Sequence, residues 1–133
     1  MRFLDANIVI RYLIADDATK ATRCERVFDK VAHGQETLMT HVLVVAEAIW
    51  VLTGTYRLKK ERVVDALVGL LSWDGLLLDD KEGVLSALGI FRARAVDFVD
   101  AYYAVWMQAR GLRQIYSYDK DFDLIPGLQR LEP

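Results

Sequence analysis

The chain has 133 residues, 53% of them hydrophobic, which suits a single domain over residues 1–133 and excludes disorder. One cysteine, Cys24, excludes a disulfide framework, and with two histidines it leaves too few ligands for a Cys/His zinc site, so a reducing cytoplasm is expected. The net charge of −2 argues at face value against a nucleic-acid binder, although its weight depends on where the acids lie.

Residues 2–5 read as a short apolar strand ending on Asp5, and residues 7–15 as the helix it feeds, the opening of a βα unit. The strand and helix are broken by Asp5 and Arg11, so this opening is not a secretory signal. Asp5 is placed to cap the helix. Asn7 either starts that helix or orients a neighbouring carboxylate. Asp16 and Asp17 form the turn beyond.

Residues 20–32 carry Ala21, Cys24, Val27, Phe28 and Val31 at three- and four-residue steps, a helical stripe, with mixed charges on the solvated face. A second strand over residues 36–40 leads into a helix over residues 41–53, with Thr40 and His41 as cap residues. Glu47 is the one ionisable side chain between Val42 and Leu52, and its neighbours are apolar on all sides. This run is too short to span a bilayer. A carboxylate buried there needs a partner, a shifted pKa or a metal; the bland alternative is that it reaches solvent from one edge or pairs with an arginine.

Residues 54–60 form a basic loop, residues 61–71 a helix, residues 76–78 a third strand. Asp79 and Asp80 then stand as caps of a helix over residues 81–92. The last stretch, DFVDAYYAVWMQARGLRQIYSYDKDF, places a nearly all-apolar helix over residues 98–110. Gly111 ends it, a strand covers residues 114–116, and an acidic turn follows. Asp97 is read as the N-cap, and Asp100 lies three residues on, on the same helix face. Asp119 follows the strand, where open α/β folds place their sites. Residues 128–131 are an edge strand. Short strands alternating with helices give an α/β domain with a mostly parallel sheet.

Asp5, Glu47, Asp100 and Asp119 therefore stand at three strand–helix junctions and within one apolar helix. All-oxygen ligands suit hard divalent cations, Mg²⁺ or in substitution Mn²⁺. Bound together without cations these carboxylates would repel. Such ions hold a phosphodiester and activate water, so metal-dependent phosphodiester hydrolysis is the reaction class the residues suggest. Setting these four aside leaves 15 acidic against 17 basic residues, so net charge does not decide the partner. No Ser-His-Asp or Cys-His arrangement and no glycine-rich phosphate loop competes.

LDANIVIRYL, the glutamate of VVAEAIWVL, FVDAYYA and YSYDKDF together resemble the PIN domain, and more narrowly the VapC-type ribonuclease toxins of toxin–antitoxin pairs. The motifs run in the family's order from residue 3 to residue 122. The resemblance implies a three-layer α/β/α fold around a parallel sheet of about five strands, Mg²⁺-dependent RNA cleavage, a homodimer and neutralisation by a cognate antitoxin protein. It assigns the catalytic, metal-binding acids to Asp5, Glu47, Asp100 and Asp119, with Asn7 and Ser117 as supports. Asp97 and Asp121 are possible accessories for a second metal. Ala6 stands where the family often has Thr, so one supporting hydroxyl is missing. Arg11, Lys59, Lys60, Arg92 and Arg94 are candidate RNA backbone contacts. Two other readings stand beside this one: a silent module that binds RNA or protein, and a phosphatase or phosphoacceptor domain. The latter needs a lysine near its aspartate, and Lys120 offers only a loop position.

Overall fold

Three very short apolar runs build one sheet. β1 (Arg2–Phe3), β2 (Leu38–Thr40) and β3 (Leu76–Leu78) pair in parallel in the order β1-β2-β3, with Arg2 opposite Leu38 and Leu38 opposite Leu76. Parallel pairing needs a crossover, and helices supply it. α1 (Ala6–Ile14) and α2 (Ala18–Ala32) link β1 to β2, while α3 (Val42–Trp50) and α4 (Lys60–Leu71) link β2 to β3. The computed structural model describes residues 1–133 and divides them into two compact units, Met1–Lys81 and Glu82–Pro133. No helix is long and apolar enough to cross a membrane.

In the first unit the sheet and helices enclose Leu4, Val9, Val45, Ala48, Leu67, Leu71 and Leu76, all buried. Each buried valine or leucine of this set contributes about 1.5–3 kcal/mol. Tyr12, Phe28 and Trp73 extend this core, with ring centroids 4.4 and 6.1 Å apart in successive pairs. Gly75 is required by close approach: a Cβ there would meet the Glu36 carbonyl oxygen at 2.9 Å, where the Gly75 carbonyl accepts from the Leu38 amide. α2 starts earlier than its apolar stripe suggests. Asp17, which the sequence places in a turn, is its N-cap and accepts from the Lys20 amide at 3.0 Å, a bond that lowers the Asp17 pKa.

α3 does not end in a simple cap. It widens into a π-helical turn over Val51–Thr55, closed by the Tyr56 amide on the Val51 carbonyl at 3.2 Å.

The second unit contains α5 (Lys81–Ala93) from its second residue onward, α6 (Phe98–Ala109), β4 (Gln114–Tyr116) and β5 (Gln129–Leu131). Phe91 meets Phe98 edge-on at 6.4 Å, and Phe98 stacks on Tyr102 at the same centroid distance. Gly111, with φ 72°, ends α6: its amide bonds the Gln108 carbonyl and the Leu112 amide bonds the Met107 carbonyl, the Schellman pattern that glycine allows. β4 and β5 are also parallel. The crossover between them, residues 117–128, contains the acidic turn as a 3-10 helix over Lys120–Leu124. The five strands thus fall as three in one sheet and two in another. Strands of two or three residues carry too little alternation for sequence to assign their partners.

Candidate metal centre

The second unit brings three acids together. Asp100, in the first turn of α6, lies with Asp119 and Asp121 so that one carboxylate oxygen from each falls within 4.8 Å of the others. The sequence places Asp119 at the strand end but treats Asp121 only as an accessory; its position makes it a full member of the group.

Local hydrogen bonds shape the turn. The Ser117 Oγ accepts from the Asp119 amide at 3.0 Å, and Asp119 Oδ1 accepts from the Asp121 amide at 2.9 Å. The Ser117 amide continues the β4–β5 ladder by donating to the Leu131 carbonyl. Arg130 holds the turn from β5: one Nη donates to the Ser117 carbonyl at 3.0 Å, Nε donates to both oxygens of Asp123 at 3.2 Å, and Glu132 accepts at 2.7 Å. Its side chain is 12% exposed. Sequence reasoning missed this residue; its only local signal is a lone cation in the QRL strand between two acids.

Asp100 has its pKa raised to about 6, first because it is partly removed from water, then because Asp119, Asp97 and Asp121 surround it with negative charge. Asp119 also hydrogen-bonds it. Asp97 needs a correction: it occupies the N-cap position of α6, but its side chain makes no capping hydrogen bond. Its carboxylate acts instead on Asp100.

The other two assigned acids stand in the first unit. Asp5 follows β1 and caps α1, Oδ2 accepting from the Asn7 amide at 3.2 Å; both residues are exposed. Thr40 fixes the chain just before it. This buried hydroxyl donates to the Leu4 carbonyl at 3.0 Å, and the Leu4 amide donates to Met39. Thr40 is thus a brace across the sheet, while capping of α3 falls to His41, whose Nδ1 accepts from the Leu43 amide. Glu47 departs from expectation. It is exposed, because α3 buries Val44, Val45, Ala48 and Ile49 and turns Leu43, Glu47 and Trp50 outward together. An apolar sequence neighbourhood did not mean a buried side chain.

The donor set is made of hard oxygens, and Asp100 is held partly desolvated among three like charges. That arrangement fits a divalent cation, which would relieve the repulsion.

The sequence pattern of the PIN domain matches residues 2–128, across both units. The chain belongs to the PIN domain family. This PIN domain is 20% identical over 133 residues to a VapC ribonuclease of Aquifex aeolicus (strain VF5), covering 100% of this chain and 97% of that protein. It is also similar to the crystal structure of Mycobacterium tuberculosis VapC20, a sarcin–ricin loop cleaving toxin, at 23% identity and a TM-score of 0.45, with full coverage of both chains.

Proposed function

We propose that this PIN domain is a Mg²⁺-dependent endoribonuclease, the toxin of a toxin–antitoxin pair, with Mn²⁺ as a possible substitute ion. The observation that carries the reading is the grouping of Asp100, Asp119 and Asp121 in a chain whose PIN match runs almost end to end. The likeness to a VapC ribonuclease supports the same activity. Asp100, Asp119 and Asp121 would hold the cation from the second unit, and Asp5 and Glu47 are the further carboxylates assigned to the site. When bound, such an ion neutralises phosphodiester charge and lowers the pKa of water.

This chain's own residues do the positioning. Ser117 and Arg130 hold the acidic turn in shape, and the Thr40 brace fixes the strand end that presents Asp5. The resemblance further implies a homodimer, a cognate antitoxin protein and a cytoplasmic setting. The test is cleavage of total RNA and of individual tRNAs by purified protein with Mg²⁺, with Mn²⁺ and with EDTA, Asp5→Asn alongside. Discrete metal-dependent products absent from the variant are expected. Equal cleavage by Asp5→Asn would remove Asp5 from the site. No cleavage by folded, metal-loaded protein freed of partners would overturn the enzyme reading.

A further inference from the structure

Along the chain the charges of α2 are mixed in sign, but the helix sorts them. At 100° per residue, Thr19, Arg23, Arg26 and Lys30 fall within about 60° of one another, one row on the solvated side. Glu25 and Asp29 fall together on the neighbouring face. Arg23, Arg26 and Lys30 are exposed, and their charged groups make no hydrogen bond and no ion pair. Asp29 stands three residues from Arg26, a spacing that allows a pair, yet none forms. Arg23 and Arg26 are three residues apart and Arg26 and Lys30 four, spacings at which like charges on a helix repel. The row costs the helix stability, and nothing within the fold offsets it.

Two grooves border this row. Arg23 and Arg26 line the first with Ala18, Thr19 and Thr22. Lys30 lines the second with Gln35, Thr37, Arg2 and Glu36, of which the last two neutralise each other. None of the carboxylates assigned to the metal centre lines either groove. From Arg23 to Lys30 the cations span about 10 Å of helix.

Such a row fits an extended polyanion. α2 holds four cations against two acids, while the chain as a whole carries −2. An RNA that approaches a net negative domain with an acidic centre needs a local positive surface to hold it. Two of the three free cations are arginines, whose guanidinium groups bind phosphate through paired N–H donors. We infer that the Arg23–Arg26–Lys30 row of α2 is a second RNA-binding site, which holds the sugar–phosphate backbone of a segment outside the one being cut. Phosphate contacts position a nucleic acid and carry no sequence information. The row therefore supplies affinity and orientation, and takes no part in the chemistry at the metal centre. The inference rests on the ribonuclease reading and adds to it a binding surface apart from the carboxylates.

The test uses the full chain with a fluorescein-labelled random-sequence RNA and, beside it, a labelled polyglutamate of matched charge. Affinity is read by anisotropy in EDTA across a series of KCl concentrations, and KM and kcat are then measured with Mg²⁺ on the RNA that the parent cleaves. Arg23→Gln, Arg26→Gln and Lys30→Gln are each expected to weaken RNA binding by about three- to tenfold at low salt. The slope of log affinity against log salt should flatten by about 0.7 for each cation removed, and by about 2 in the triple variant. KM should rise with kcat unchanged. Arg23→Lys and Arg26→Lys should keep the parent's slope, and the glutamine variants should melt no lower than the parent, because they lose only repulsion. Parental affinity and slope in the triple variant would overturn the second site while leaving the nuclease intact, provided the parent cleaves. A fall in kcat as large as the rise in KM would place the row at the reacting bond and overturn a separate site. Tighter binding of polyglutamate than of RNA, lost in the triple variant, would assign the row to an acidic protein instead. A parent protein that neither binds nor cuts RNA would point to failure of the ribonuclease reading itself.

Discussion

α3 and α6 look alike in sequence, each an apolar helix with one acid in its span, yet they treat that acid in opposite ways. Glu47 shares the outward face of α3 with Leu43 and Trp50. Asp100 lies one turn before buried Ala104, at the border of the stripe Phe98, Ala101, Ala104 and Met107. At 100° per residue, the difference is a rotation of a few tens of degrees about the helix axis. Burial belongs to whichever face the neighbouring elements cover, and composition within the helix does not report it. The electrostatic outcome follows. Asp100 is partly desolvated beside three more acids and its proton is held more tightly, whereas Glu47 keeps its water.

The strongest way to break this contrast is to neutralise each acid in turn. Asp100→Asn should reduce metal-dependent RNA cleavage on the order of a hundredfold or more, as loss of a group that stabilises developing charge does. It should also raise the metal-free melting temperature, because it removes one charge from a crowded set. Glu47→Gln should lower cleavage without that gain in stability. Calorimetry and cleavage assays on both variants check this, and an equal rise in melting temperature for Glu47→Gln would erase the distinction.

A smaller effect separates a supporting ion pair from a decorative one. Arg130→Ala should measurably weaken Mg²⁺ binding, because the Ser117 carbonyl at the base of the acidic turn loses its donor, although Arg130 touches none of the three acids itself. Arg2, whose side chain is 78% exposed where it pairs with Glu36, should cost almost nothing when replaced by alanine. Titration calorimetry with Mg²⁺ reads both.

The least dramatic effect is set by pH. In the unfolded chain Asp100 titrates near 3.8, and in the fold at about 6. The folded state therefore binds the proton more tightly, so this group favours folding below about pH 4, and the contribution is lost as pH rises through 6. A cation must displace that proton at low pH. Mg²⁺ affinity should fall about fivefold between pH 6 and pH 5, and change little above pH 7. Thermal shifts with and without Mg²⁺ at pH 5, 6 and 7.5 check it; a pH-independent shift would mean that Asp100 is not a ligand.

Much of this is legible in the chain. Helices are visible because their apolar residues recur at three and four, and Asp119 stands out because it follows a strand; Asp100 is not at the strand–helix junction the sequence suggests, since α6 follows α5 with no strand between them. Gly111 reads as a stop and is one. Other features are hidden for definite reasons. Thr40 and Arg130 act on backbone carbonyls 36 and 13 residues away, and a carbonyl has no sequence identity to pair with. The outward turn of Glu47 depends on packing around α3. The division of five strands into two sheets depends on pairing choices that segments of three residues do not encode.

Arg130 has a consequence for the order in which the molecule is made. The acids of the turn, Asp119 and Asp121, leave the ribosome before the strand that braces them, since Arg130 and Leu131 are translated later. Until β5 emerges, the Ser117 carbonyl has no guanidinium and the Ser117 amide no ladder partner from that strand. The acidic turn of a nascent chain thus has its own Ser117 and Asp119 hydrogen bonds to shape it, but lacks its brace until the residues beyond it have been synthesised. A PIN domain built this way acquires its braced acidic turn late in its own translation.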